Sequence, residues 1–290
     1  MGAEYARREA GPADIRAMQA AAQRTWTPGQ RRHIGDLAWG LRYLGRAALW
    51  TAADGEVAAW AIAGDSLYAP AGLAGEVIGW LGEPEITVLE TEEHLTAALE
   101  EAGYVRRDGG PFFLHCAVEL DGLPELTVPE GYEIRAVRPD EAGQRAAAHR
   151  AAWRPARIGA LMVPPADLGA GESSMTTEAC QSVMDTWPYR ADLDQVAVAP
   201  DGSFAAFALG WLDEVNKAGE LEPVGTVPGH TRRGLASAVS LASLHAMRAA
   251  GATRAVVYPR GDEAYPVARK VYFGLGFEPV ARTVTYVRAT

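Results

Sequence analysis

The chain has 290 residues, 48% of them apolar and 22% charged, with 37 acidic against 27 basic side chains and a net charge of −10. That balance suits a soluble protein of about two domains, and the lack of any Lys/Arg run argues against nucleic acid as a partner. Cys116 and Cys180 lie too far apart for a CxxC or Cys/His cluster, so no disulfide framework and no metal site is expected. The charged stretch from Met1 to Met18 has no signal-peptide core and no apolar run nears the ~20 residues of a membrane span, so a cytoplasmic protein without membrane contact is expected.

In chain order, Ala47 to Thr51 and Val57 to Ala63 flank the turn Asp54-Gly55 and read as a hairpin. His94 to Gly103 reads as a helix ending at a glycine, followed by Tyr104. Leu123 to Tyr132, with two prolines and a glycine, has no helical period and reads as a linker. It places a boundary near Thr127, giving domains 1–127 and 128–290. Beyond it come a strand, Tyr132 to Val137, a helix, Asp140 to Trp153, and a Pro- and Gly-rich loop, Arg154 to Ser173. A helix over Ser174 to Trp187 follows, with Ser173 or Ser174 as its N-cap. Gln195 to Val198 and Phe204 to Leu212 form a second hairpin around Pro200-Asp201-Gly202. Then come a strand, Leu221 to Val227, a helix, Leu235 to Ala250, a strand, Arg254 to Tyr258, a helix, Ala264 to Leu275, and a strand, Val280 to Val287, closing the second domain. This mixed order predicts an α/β (α+β) fold, a mixed sheet flanked by helices. ALEEAGYVRR, from Ala98, and KVYFGLGFEPVAR, from Lys270, share the order helix, glycine, aromatic, strand, which leaves an internal repeat open.

The chemistry concentrates between Glu220 and Val239, ELEPVGTVPGHTRRGLASAV, where a strand enters a loop and the loop opens an apolar helix. The first N–H groups of a helix have no internal partners and sit at the positive end of its dipole. Gly234 and the small Ala236 allow close backbone approach, and Arg232 and Arg233 add charge, so the loop suits a pyrophosphate. An ordinary strand-turn-helix with two solvated arginines is the alternative.

These residues carry a resemblance. Val224-Gly225-Thr226 followed by Thr231-Arg-Arg-Gly-Leu-Ala236 is similar to the acetyl-CoA-binding motif Q/R-x-x-G-x-G/A of the GNAT superfamily of N-acyltransferases. Thr231 stands where that family has Gln or Arg. Ala268-Arg-Lys-Val-Tyr272-Phe-Gly-Leu-Gly-Phe277 is similar to the family's A-x-x-L-Y-x-x-x-G-F signature, and Tyr265 stands where many members have asparagine. The resemblance implies two tandem GNAT-like domains, a degenerate one over 1–127 and an acetyl-CoA-binding catalytic one over 128–290. It implies cofactor contacts along Val224, Gly225, Thr226 and Val227 and around Thr231, Arg232, Arg233, Gly234, Leu235, Ala236 and Ser237.

Tyr272 is then the general acid for the leaving thiolate, its phenol pKa near 10 lying close to that of a thiol. Glu220 and Glu222, two apart on a strand, share a face, and either serves as the base for an amine, Glu222 being the first choice. Trp153, Trp187, Tyr189 and Trp211 lie on or beside the segments that border the acceptor cleft in this fold and offer apolar bodies with polar tips, with core packing the alternative for each one. Asp192, Asp194 and Asp213 read as solvated. The expected activity is acetyl transfer to the primary amine of a small molecule, directly, in a ternary complex and without a metal. A lapsed CoA-binding module or a transferase of longer acyl groups are the rivals. The acceptor's identity and the oligomeric state stay open.

Overall fold

The computed structural model describes residues 5–29, 32–40 and 44–289, so the first four residues of the charged amino-terminal stretch lie outside it. Contacts divide the chain into two units, Met1–His115 with Pro279–Thr290, and Cys116–Glu278. Among the described residues no helix is long and apolar enough to cross a membrane.

The first unit is built from β1 (Ala6–Glu9), α1 (Ile15–Arg24), α2 (Ile34–Gly40), β2 (Ala47–Thr51), β3 (Val57–Ile62), β4 (Ser66–Tyr68), α3 (Ala71–Leu81), β5 (Glu85–Leu89), α4 (Glu93–Glu101) and β6 (Tyr104–Arg106). The hairpin read around Asp54-Gly55 is β2–β3, paired antiparallel, in a sheet of order β1-β2-β3-β4. Successive strand residues face opposite ways, so Leu49 joins a core with Met18 and Trp60 while Trp50 joins another with Val77, Leu95 and Leu99. α3 buries Leu73, Ala74, Val77, Ile78 and Leu81, one stripe at helical spacing.

The second unit begins with β7 (Leu114–Glu119) and continues through β8 (Glu133–Ala136), α5 (Ala142–Ala152), α6 (Pro155–Ala160), α7 (Thr177–Met184), β9 (Asp194–Val198), β10 (Phe204–Asp213), β11 (Ala218–Thr226), α8 (Leu235–Ala249), β12 (Arg254–Val257) and α9 (Val267–Gly274). Its strand order is β7-β12-β11-β10-β9-β8, antiparallel except for the parallel pair β11–β12. Helices lie on both faces of β10. Phe207 stacks on His149 of α5 at 5.8 Å, while Gly210 faces Met247 and Ser243 of α8, where no side chain fits.

The division differs from a boundary near Thr127 in two ways. β7 precedes the linker in sequence yet pairs with β12, Cys116 opposite Val257 through Glu119 opposite Arg254, and so belongs to the second unit. The last strand, β13 (Glu278–Arg288), is grouped by its contacts with the first unit, where Thr283–Val287 pairs antiparallel with β5 and Tyr286–Arg288 with β6. The second unit is thus one continuous stretch, while the first takes its last strand from beyond it.

Three local expectations are also corrected. The Arg154 to Ser173 loop contains α6, started by Pro155, whose fixed φ and missing N–H suit a first helical position. α7 begins at Thr177 and is capped by Thr176, whose hydroxyl accepts from Ala179 N–H at 3.0 Å, and not by Ser173 or Ser174. Ser173 Oγ lies 3.1 Å from His149 Nδ1 instead. The last helix starts at Val267 and not at Ala264, because Pro266 disfavours helical geometry in the residue before it.

Candidate functional site

β11 is the spine of the site. It pairs with β12 only over Ala218–Glu220, and from Leu221 onward its recorded partner is β10 alone. The β10 register slips between Ala208 and Gly210, where two residues of β10 span three of β11, putting a bulge at Glu222 and Pro223. Bulges re-aim side chains, and this one sits where the parallel pair comes apart.

The two predicted bases lie at this point. Glu220 is fully buried, opposite Trp211 in the β10–β11 register, and Glu222 is half-buried. Their carboxylates approach within 4.8 Å. Tyr272 of α9 is 7% exposed and packs edge-on against Phe277, with ring centroids 5.8 Å apart. Burial, then the charges of Glu222, Tyr265 and Cys116, raises its phenol above the ordinary value, so the hydroxyl keeps its proton at neutral pH. Burial likewise pushes the Cys116 thiol up to about 12, which leaves it an inert neighbour. One acceptor group and one donor group, Glu222 and Tyr272, are thus close enough to interact electrostatically.

Downstream of β11, a short turn at Pro228–His230 leads to α8, which starts at Leu235 as its apolar pattern predicts. Arg232 and Gly234 adopt left-handed backbone, φ 63° and 77°. The first helical bond runs from Ala238 N–H to Gly234 O at 3.0 Å, so the amides of Leu235, Ala236 and Ser237 precede it. A Cβ at Gly234 would meet nothing within 4 Å, so the approach to these amides is open. Thr231, Arg232 and Arg233 are exposed; the Thr231 hydroxyl donates to Pro228 O at 3.1 Å, and neither arginine has an ion pair among the described residues. On the strand side Val224, Thr226 and Val227 are half-buried, and a Cβ at Gly225 would come within 2.5 Å of Phe207 and 2.9 Å of Ala152.

The four aromatics separate. Trp153 and Trp187 are 40% and 42% exposed, Trp153 with its ring stacked on His149 at 6.2 Å. Trp211 is completely buried and donates its indole N–H to the main-chain carbonyl of Glu222 at 2.7 Å, so it offers no surface to an acceptor. Tyr189, half-buried, turns its hydroxyl to Asp194 at 3.5 Å and its ring edge-on to Trp211. Asp194 is not solvated: it is buried against Arg145, Nε to Oδ1 3.1 Å, and burial raises its carboxyl despite the guanidinium. Asp213 is buried too, accepting from the amides of Val215 and Asn216 and so shaping the turn into β11. Asp192, more exposed, pairs with Arg190.

The sequence reading missed the Arg145–Asp194 pair. Its signal was the i, i+4 spacing of Arg145 and His149 in an alanine-rich helix, which puts both on the face packed against the sheet. A chain of contacts runs from this pair through Tyr189 and Trp211 to the bulge. Trp211→Phe, which removes only the N–H and some bulk, is therefore expected to destabilise by about 1–3 kcal/mol through the unsatisfied Glu222 carbonyl. A denaturant melt measures this, and an unchanged midpoint would show that the bond does not hold the bulge.

In the first unit β4 passes into α3 through Ala69 and Pro70 alone, with Pro70 as N-cap. That step has no loop for a phosphate. Counting back from Gly103 as Tyr272 counts back from Gly276, the corresponding α4 position is Leu99, fully buried and unable to donate a proton.

No family model matches the chain. A stretch of 90 residues is 38% identical to the mycothiol acetyltransferase of Beutenbergia cavernae, covering 31% of this chain and 30% of that protein. Among solved structures, a tandem GNAT protein from the clavulanic acid biosynthesis pathway superposes with TM-score 0.59 and 17% identity over 98% of each chain. A GCN5-related N-acetyltransferase from Sphaerobacter thermophilus gives TM-score 0.56 and 20% identity over 97% of this chain and 94% of that one. A GNAT-family acetyltransferase from Colwellia psychrerythraea gives 0.60 and 11% over 98% and 100%. At these identities the likeness establishes the fold alone, one that the chain shares over nearly its whole length with a tandem GNAT protein.

Proposed function

We propose that this chain, built on the tandem GNAT fold, is an acetyl-CoA-dependent N-acetyltransferase that acetylates the primary amine of a small molecule by direct transfer in a ternary complex. The observation that carries the reading is a half-buried Glu222 at the bulge where β11 parts from β12, with a buried Tyr272 whose phenol is raised by burial and by the Glu222 charge, on a chain whose α8 entrance is open.

Acetyl-CoA, when bound, supplies a thioester activated for attack. The amides of Leu235, Ala236 and Ser237, with Arg232 and Arg233, hold its pyrophosphate, and the edge of β11 from Val224 to Val227 pairs with its pantetheine arm. Main-chain N–H groups of that strand polarise the acetyl carbonyl. Glu222, or Glu220 behind it, takes a proton from the amine as the new C–N bond forms, and Tyr272 gives its proton to sulfur as the C–S bond breaks. Trp153 and Trp187 provide apolar surface for the acceptor. The first unit, without a loop at Ala69-Pro70, is the degenerate copy. Soluble, cytoplasmic operation fits the acidic composition.

The test is an amine panel with acetyl-CoA, reading thiol release; absence of release with every amine would overturn the reading. The cradle has its own test. Gly234→Glu places a carboxylate against the bound pyrophosphate and gives a non-glycine residue φ 77°. Acetyl-CoA affinity is expected to fall by about 100-fold or more, from repulsion and lost approach. Calorimetry measures it, and wild-type affinity in the mutant would show that the loop binds no phosphate.

A further inference from the structure

α6 and the segment before α9 are pinned together. Val163 N–H donates to Ala264 O at 2.9 Å, and Ala166 N–H to Gly159 O at 3.0 Å. Gly159 lies so tightly under the Ala166 carbonyl that no Cβ fits there. Four arginines lie on the two segments so joined, Arg154 and Arg157 on α6 with its flank and Arg260 and Arg269 on the segment 260–269. Three have carboxylates: Arg154 with Glu172, Arg260 with Asp262, and Arg269 with Glu263.

Arg157 has none among the described residues. Its one recorded bond is from Nη1 to the main-chain carbonyl of Ala152 at 2.5 Å. It is half-buried, close enough to Tyr265 to feel its charge, and burial lowers its guanidinium, whereas Arg8, Arg135 and Arg190 are raised by their carboxylate partners. Tyr265 in turn acts on Tyr272. A half-buried cation without an anion is a costly arrangement, and Ala152, whose carbonyl holds it, packs against Gly225, three residues along β11 from Glu222.

We infer that Arg157 is the anchor for a carboxylate on the acceptor, which makes the acceptor an amino-acid-type molecule carrying both an amine and a carboxylate. The inference rests on the transferase reading and deepens it. A guanidinium presents paired N–H donors in a plane that matches a carboxylate. With one Nη held by Ala152 O, the remaining donors are fixed in direction, and the anion orients the amine toward Glu222.

The experiment compares α-amino acids with their α-carboxamides, which keep the amine and lose the anion. Wild-type protein is expected to favour the acids by about 10–100-fold in kcat/KM. In Arg157→Gln that ratio collapses toward one, because the acids lose and the carboxamides have no anion to lose; Arg157→Lys, retaining charge but not the fork, restores part of it. A wild-type preference for carboxamides, an equal loss for both sets, or a rise in acetyl-CoA Kd in place of a change in acceptor preference would overturn the inference. If no amine releases thiol, the transferase reading fails by itself. Calorimetry of the same pairs on CoA-saturated protein then decides the anchor separately: acids that bind wild type and not Arg157→Gln support it, and acids that bind neither refute it.

Discussion

Replacing Tyr272 by phenylalanine is expected to lower turnover about 10²–10⁴-fold while leaving acetyl-CoA affinity nearly unchanged. The ring is 7% exposed and edge-on to Phe277, and phenylalanine reproduces both the volume and that contact. What disappears is the hydroxyl, the donor proposed for the departing sulfur. Because burial raises the phenol, the wild-type group keeps its proton through neutral pH and loses catalytic competence only as pH climbs above the ordinary tyrosine range. The alkaline limb of the wild-type profile should therefore lie high, and the mutant should lack that limb. Steady-state kinetics with an identified acceptor, beside a thermal melt, separates the roles. A folded mutant within a few fold of wild type would reduce Tyr272 to a packed aromatic and leave sulfur to be protonated by water.

Asp194→Ala is expected to destabilise the protein by about 3–5 kcal/mol, because it strands the Arg145 guanidinium in the core. Arg145 and Asp194 are 3% and 2% exposed, and Arg145 also lies 3.8 Å above the Phe207 ring. Losing one member leaves a charge that neither water nor another carboxylate reaches. Removing both, as Arg145→Met with Asp194→Ala, takes away the stranded charge, so the double mutant should be more stable than the sum of the single changes implies. Denaturant midpoints for the four proteins give the coupling. An Asp194→Ala loss under about 1 kcal/mol would mean that the pair contributes little and that Tyr189 is held by packing alone.

Much of the second unit was legible because its signals are local. α8 starts at Leu235, after a left-handed Gly234, and β10 and β11 form the hairpin that their apolar runs require. Pairings across long stretches of chain were not legible. The alternation in Val280 to Val287 specifies two faces but not a partner, so it reads the same whether the strand lies beside β5 or inside the second sheet. Asp194 was read as solvated because nothing within a few residues shows Arg145, which lies 49 residues earlier. For Trp211 the sequence leaves cleft and core both open, because strand alternation alone does not reveal the bulge that turns the Glu222 carbonyl onto its indole. Three neighbouring hydroxyl residues competed to cap α7, and the loop's path, not their chemistry, selected Thr176. Arg157 carries no sequence signal beyond its charge; its distinction is the lack of a carboxylate in a folded-back segment.

The placement of β13 also fixes an order of events during synthesis on the ribosome. Everything the second unit needs, from Cys116 to Glu278, lies in one continuous stretch and can close once that stretch has left the exit tunnel. The first unit has most of its residues out much earlier but must wait for Thr283–Arg288 before β5 and β6 gain their partner. At 5–20 residues per second that wait is on the order of 10–30 s. During it β5 shows an open edge, which its alternate exposed positions, Glu85 and Thr87, keep polar on one face. The amino-terminal unit is thus begun first and finished last, and a nascent chain cut short before its final strand leaves the opposite end of the protein incomplete.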